Sequence, residues 1–138
     1  MKKYNMLIPV AGKAQRFADE GYSMPKPLIM AKTKQIIDWS LESVDTTDCN
    51  LIFAVRLDHI NNHAIDEILR EKFGDDIQIV VVDHDTDGSV STCLIAKEQI
   101  NNDMPLIIYT PDVYFQNTFD PDSIPEDSDG FLLTFKAN

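Results

Sequence analysis

Three cations fall close to one small-residue turn. The stretch Leu7-Ile8-Pro9-Val10-Ala11-Gly12-Lys13-Ala14-Gln15-Arg16-Phe17 is an apolar run that stops at Ala11-Gly12 and delivers Lys13 and Arg16; Lys26 follows between Pro25 and Pro27. The rest of the chain is acidic, with 12 Lys and Arg against 23 Asp and Glu and a formal net charge of −11. Cations gathered at a Gly-containing turn in such a chain point to an anionic ligand. Backbone N–H groups of Ala11, Gly12 and Lys13 can aim at it, the Arg16 guanidinium can fork onto phosphate oxygens, and Lys26 can place a point charge. An isolated pair of cations would read as solvated surface. The turn, together with the prolines that fix Lys26, favours phosphate.

Two further stretches could serve the same chemistry. Asp112 follows an apolar run and a Thr110-Pro111 corner; a carboxylate there could hold a Mg²⁺ ion that bridges phosphates, or could simply be a turn aspartate. Asp87-Gly88-Ser89 opens a helix. Gly88 would let a flat ring approach the backbone, with His84 and Asp85 nearby, but Asp87 or Ser89 as an ordinary helix cap explains the same residues. His59 and His63 have the i, i+4 spacing of a metal pair with no third ligand close by, and read as helix-surface residues. Cys49 and Cys93 fit neither a CxxC nor a Cys/His metal spacing and read as buried, reduced thiols of a cytoplasmic protein.

The elements that must position these residues alternate. Apolar, β-branched runs predict strands over 4–10, 50–55, 77–82, 105–109 and 130–135. Pro9 is unusual in a buried strand and marks where the first one leaves the sheet. Helical periodicity predicts a short turn over 14–18 and helices over 35–44, from Asp58 to Gly74, and from Ser89 or Ser91 to Ile100. Pro25 and Pro27 predict an extended segment, and Gly12 a tight turn. Strands alternating with helical crossovers imply a mostly parallel sheet covered on both faces. Ligands on such sheets bind beyond the carboxyl ends of the strands, which is where the 11–16 turn, the 83–89 loop and the 110–113 corner fall.

At 138 residues the chain is the size of one domain. Its acidity argues against nucleic acid or an anionic membrane as partner. No signal peptide is visible, and no apolar stretch approaches the roughly 20 residues of a membrane span.

Ala11-Gly12-Lys13-Ala14-Gln15-Arg16-Phe17, followed by Pro25-Lys26-Pro27-Leu28-Ile29, resembles the signature of the sugar-phosphate nucleotidyltransferases, which is usually Gly-x-Gly-x-Arg and then Pro-Lys. Asp87-Gly88 and Asp112 fall in order at that family's base-binding glycine and metal-binding aspartate, so the resemblance spans essentially the whole chain. It implies a Rossmann-like three-layer α/β sandwich in which an NTP and a sugar phosphate, or a similar phosphate monoester, react. The acceptor phosphate attacks the α-phosphorus and pyrophosphate leaves, in the service of sugar-nucleotide and polysaccharide biosynthesis. By the resemblance, Arg16 and Lys26 are the catalytic pair: Arg16 holds the β- and γ-phosphates and Lys26 stabilises charge at the α-phosphate. Asp112 holds Mg²⁺. Ala11, Gly12, Lys13, Gly88 and Ser89 bind the nucleotide. No general base is needed, because a phosphate nucleophile is already ionised.

The chain departs from the pattern at Ala14, where the family has its second glycine, and at Pro111, where it has a glycine before the aspartate. Members of the family also continue well past the point where this chain stops, so it is expected to be truncated at its C-terminus. That leaves an edge strand open to pairing with a second copy. Two other functions compete: a nucleotide-binding module without turnover, and an acidic receiver-type signalling domain. The second lacks an acidic pair after strand one, where Val10-Ala11-Gly12 stands.

Overall fold

The computed structural model describes residues 1–134 and residue 136. In chain order the elements are β1 (Tyr4–Pro9), α1 (Gln15–Asp19), β2 (Met30–Ala31), β3 (Lys34–Gln35), α2 (Ile36–Leu41), β4 (Cys49–Arg56), α3 (Leu57–His63), α4 (Ile65–Phe73), β5 (Gln78–Val82), α5 (Ser89–Ile95), α6 (Lys97–Ile100) and β6 (Leu106–Ile108). β1, β4, β5 and β6 form one parallel sheet in the order β5-β4-β1-β6. β2 and β3 make a separate antiparallel ribbon.

Unbroken apolar runs in β1 and β4 have a direct cause: both strands are central, and both faces are covered. Successive residues go to opposite sides. Met6, Ile8, Phe53 and Val55 pack with Ile37 and Leu41 of α2 and Ile65 and Leu69 of α4. Leu7, Ile52, Ala54, Val80 and Val82 pack on the other face with Cys93 and Ala96 of the α5 segment. The Phe53 and Phe73 rings stack with centroids 5.5 Å apart. These two cores make three layers, as the alternating pattern implies.

Pro9 is tolerated for a simple reason. The Asn5 N–H donates to Pro105 O and the Tyr109 N–H donates to Leu7 O, so every second residue of β1 faces β6. Pro9 is the next residue on that side, and it lies just past the end of β6, where a donor is no longer needed.

Several local expectations need correction. The helix expected over 35–44 is shorter, because Gln35 ends a ribbon strand and is the cap residue of α2, its N–H donating to Asp38 Oδ2 at 3.1 Å. The single helix expected after Asp58 is two, broken at Ala64, which takes a left-handed φ of 48°. Asp58 is not its cap: the carboxylate is drawn to Arg56 instead. Residues 26–28 form a 3-10 turn rather than an extended segment. The helix expected up to Ile100 divides into α5 and α6 at Ala96. No strand forms over 130–134, where Phe131, Leu132 and Leu133 are exposed and gain no sheet partner, while Phe135 lies outside the described residues. The exposed sheet edge on this side is β6. Cys49 and Cys93 are buried free thiols, as expected, and burial pushes the Cys49 thiol up to about 11.

Candidate functional site

The carboxyl ends of the strands open into a cleft of about 520 Å³. Its first wall is the turn after β1. Ala11, Gly12, Lys13 and Ala14 all line it. Among the described residues, no acceptor pairs with the backbone N–H of Ala11, Gly12 or Lys13, so three donors stand along one wall. The residue that takes the special conformation in this turn is Ala14, not Gly12. Ala14 sits at φ 49°, ψ 43° and its carbonyl starts α1 by accepting from Phe17 and Ala18. Gly12 has no left-handed φ, and a Cβ built on it would meet no protein atom within 4 Å. Its missing side chain leaves the cleft wall bare rather than relieving the backbone.

A second part of the lining pairs two residues far apart in sequence. Lys26, on the 3-10 turn, places its ammonium 3.4 Å from Asp112 Oδ2. The same ammonium lies 5.7 Å from the centre of the Phe17 ring, so α1 steadies it from the side. Asp112 is held at the corner after β6, where its N–H donates to Thr110 O. Arg16 stands apart from this group: it is exposed on α1, does not line the cleft, and has no carboxylate partner among the described residues.

The third wall is the loop between β5 and α5. Gly88 takes φ 137°, ψ −177°, which only glycine adopts readily, and its carbonyl accepts from the Thr92 hydroxyl at 3.1 Å. Thr86 and Thr92 hydroxyls lie 2.6 Å apart. Gly88, Ser89 and both threonines line the cleft. Ser89 is the first residue of α5 and Gly88 its cap, with no side-chain capping bond, so neither Asp87 nor Ser89 plays the cap role that sequence allowed. Of the two nearby residues named from sequence, Asp85 lines the cleft, whereas His84 turns to Asp83 at 2.7 Å.

Arg56 is the functional candidate that sequence reasoning passed over. It ends β4 inside the cleft, with only 16% of its side chain exposed. Its guanidinium forks onto Asp58 at 2.8 and 3.0 Å and donates to Asp85 Oδ1 at 2.9 Å. Bonds to Asp58 and then to Asp85 hold it firmly charged. The signal was available: an arginine closing an apolar strand stands at the edge where ligands of parallel sheets bind. Asp85 is shared, since its Oδ2 also lies 2.6 Å from Lys13 Nζ. Lys13 and then Arg56 hold its carboxyl below the usual carboxylate range.

The two histidines are elsewhere, on α3, with ring centroids 6.4 Å apart. His59 is half-buried rather than a free surface residue, and its Nδ1 finds no partner. Among the described residues, no group of three His, Cys, Asp or Glu side chains could hold a metal ion. No helix of the described residues is long and apolar enough to cross a membrane.

No family model matches the chain. No curated protein matches it either. Among solved structures it is similar to a nucleoside-diphosphate-sugar pyrophosphorylase from Vibrio cholerae, with a TM-score of 0.66 and 21% sequence identity over 88% of this chain. The match spans 51% of that protein, so this chain corresponds to about half its length. The likeness places the fold: a Rossmann-like three-layer α/β sandwich with a four-stranded parallel sheet.

Proposed function

We propose that the chain binds a nucleoside triphosphate with Mg²⁺ and acts as a nucleotidyltransferase. It would join the nucleotide to a sugar phosphate, or a similar phosphate monoester, and release pyrophosphate. One observation carries the reading: Lys26 and Asp112 meet in a cleft also lined by the turn of Ala11, Gly12 and Lys13, whose N–H groups have no acceptor among the described residues. The solved relative with this fold is named for the same class of reaction.

In this reading the N–H groups of the first turn and the Lys13 ammonium receive the phosphate tail. Lys26 faces the α-phosphate, where negative charge grows as the acceptor oxygen forms its bond to phosphorus and the bond to pyrophosphate breaks. Arg16 lies outside the cleft lining and would have to swing in from α1 to meet the β- and γ-phosphates, which its exposed side chain, without a carboxylate partner among the described residues, leaves open. Gly88 and Ser89 meet the base, with no side chain between the ring and the backbone at Gly88. The acceptor phosphate arrives ionised, so no residue has to remove a proton.

The donor set suits Mg²⁺ only in company with the nucleotide. Asp85 is occupied by Lys13 and Arg56, which leaves Asp112 as the carboxylate beside Lys26. Mg²⁺ is commonly held by one or two carboxylates plus substrate phosphates and waters, so Asp112 with a triphosphate fits and Asp112 alone does not. When bound, the ion neutralises phosphate charge. Its arrival at Asp112 would also release Lys26 for the α-phosphate.

A second reading, a nucleotide-binding module without turnover, uses the same cleft residues and differs only in that no acceptor phosphate reacts. The experiment that separates them is incubation with each common NTP, Mg²⁺ and a panel of sugar 1-phosphates, with pyrophosphate as the readout. Pyrophosphate that depends on both substrates supports the transferase. Nucleotide binding without pyrophosphate supports the module, and no binding removes both.

A further inference from the structure

Every cation that lines the cleft is already paired. Lys26 has Asp112, Arg56 has Asp58 and Asp85, and Lys13 has Asp85. A polyphosphate entering this cleft therefore has to displace a resident carboxylate at each cation it engages. In the reading above Asp112 would turn to Mg²⁺. Asp85 has no such alternative, because Arg56 keeps it in place.

The two halves of the Asp85 bridge differ in how easily they part. Lys13 and Asp85 leave 56% and 62% of their side chains exposed, and such pairs contribute little and exchange freely. Arg56 is mostly buried and is fixed from behind by the forked contact with Asp58. When an anion arrives, Lys13 is the member free to move, and Asp85 stays at the wall as a fixed negative charge.

We infer that Asp85 is a specificity determinant of the phosphate site, a built-in competitor for Lys13 that sets how strongly the cleft prefers a long phosphate tail over a short one. This rests on the nucleotide-binding reading above. A ligand that carries several phosphates to the turn outcompetes the carboxylate and takes Lys13. One that carries a single phosphate, or none, leaves Lys13 on Asp85 and gains nothing from it.

The test measures affinity by calorimetry for ATP, CTP, GTP, UTP and dTTP, each with Mg²⁺, and then for the monophosphate and the free nucleoside of the tightest. Asp85→Asn is expected to tighten the triphosphate about three- to fivefold, the upper end of the scale on which an exposed ion pair competes, and to change the nucleoside by less than about twofold. In a Lys13→Ala background the gain from Asp85→Asn should fall below about twofold, since the residue it competed for is gone. A triphosphate affinity that Asp85→Asn leaves unchanged or weakens overturns the proposal while the nucleotide reading stands. So does an equal gain with and without Lys13, which would mean only general repulsion. If none of the five triphosphates binds the unaltered protein, the nucleotide reading itself has failed, and this proposal with it.

Discussion

Lys26 and Asp112 are 86 positions apart in the chain, yet they share one wall of the cleft, the ammonium 3.4 Å from the carboxylate oxygen. A tight charge-assisted bond is shorter, about 2.7–2.9 Å. The pair is loose, with half of the Asp112 side chain exposed, and either partner can turn to a ligand. Their meeting follows from topology. β1 and β6 are neighbours in the sheet, so the turn after one strand and the corner after the other open onto the same edge.

Removing Lys26 should therefore weaken triphosphate binding with little effect on the fold. Lys26→Ala is expected to lose about 1.5–3 kcal/mol of binding, the range for hydrogen bonds to a charged group, and Arg16→Ala a similar amount. Asp112→Asn should abolish the Mg²⁺ dependence of binding and leave the unfolding midpoint in place. Calorimetry with and without Mg²⁺ reads all three. An unchanged affinity in the combined Arg16→Ala, Lys26→Ala protein would count decisively against the site.

The two cleft glycines should separate stability from binding. Gly88 sits at φ 137°, where a side chain is strained even though no protein atom stands within 4 Å of its Cβ position. Gly88→Ala should destabilise the protein by about 1–3 kcal/mol or shift the 83–89 loop, and nucleotide affinity should fall with it. Gly12 has no such strain and the same open surroundings. Gly12→Ala should leave the urea midpoint within about 0.5 kcal/mol of the unaltered value while still weakening nucleotide binding, because its methyl stands on the cleft wall.

The central strands β1 and β4 were legible because burial on both faces imposes unbroken apolar runs; the edge strands β5 and β6 were legible from their β-branched and aliphatic composition, although Val81, Leu106 and Ile108 are exposed. The site's location was legible for a related reason: the 11–16, 83–89 and 110–113 stretches each follow a strand. What escaped were features set by tertiary packing. Ala64 is a good helix former, yet it ends α3 in a left-handed conformation so that α4 can lay Ile65 and Leu69 on the sheet. No propensity argument predicts that. Arg56 escaped because the ends of β1, β5 and β6 lead into turns marked by Gly12, Gly88 and Pro111, whereas β4 runs straight into α3 with no glycine or proline beside it. The 130–134 segment reads as a strand by composition but has no neighbouring strand to pair with among the described residues.

Ala14 offers a stability gain in the turn after β1. A left-handed residue other than glycine is disfavoured by roughly 1–2 kcal/mol, and glycine's greater freedom in the unfolded chain offsets about 0.5–1 kcal/mol of any relief. Ala14→Gly should thus raise stability by about 0.5–1 kcal/mol, seen as a higher urea midpoint with unchanged slope. A lower midpoint would mean that the methyl packs usefully against the turn and that the strain is already compensated.

His59 should make stability fall as the solution is acidified through neutrality. Burial is the main influence on this half-buried ring and holds its folded-state pKa below the ordinary 6.5, outweighing the raising effect of the adjacent Asp58; Arg56 and His63 act in the same direction as burial. The unfolded chain then binds more protons than the folded one just below pH 6.5, so stability rises with pH in that window. The His59 contribution is complete above about pH 7 and is lost progressively as pH drops below the unfolded value. Melting temperatures should decline between about pH 7.5 and 5.5, well above the range where the paired carboxylates Asp58, Asp85 and Asp122 begin to protonate. His59→Gln keeps a polar side chain of similar reach but cannot titrate, so in that variant the decline should be reduced. A profile identical to that of the unaltered protein would show that the ring is as well hydrated in the folded state as in the unfolded one.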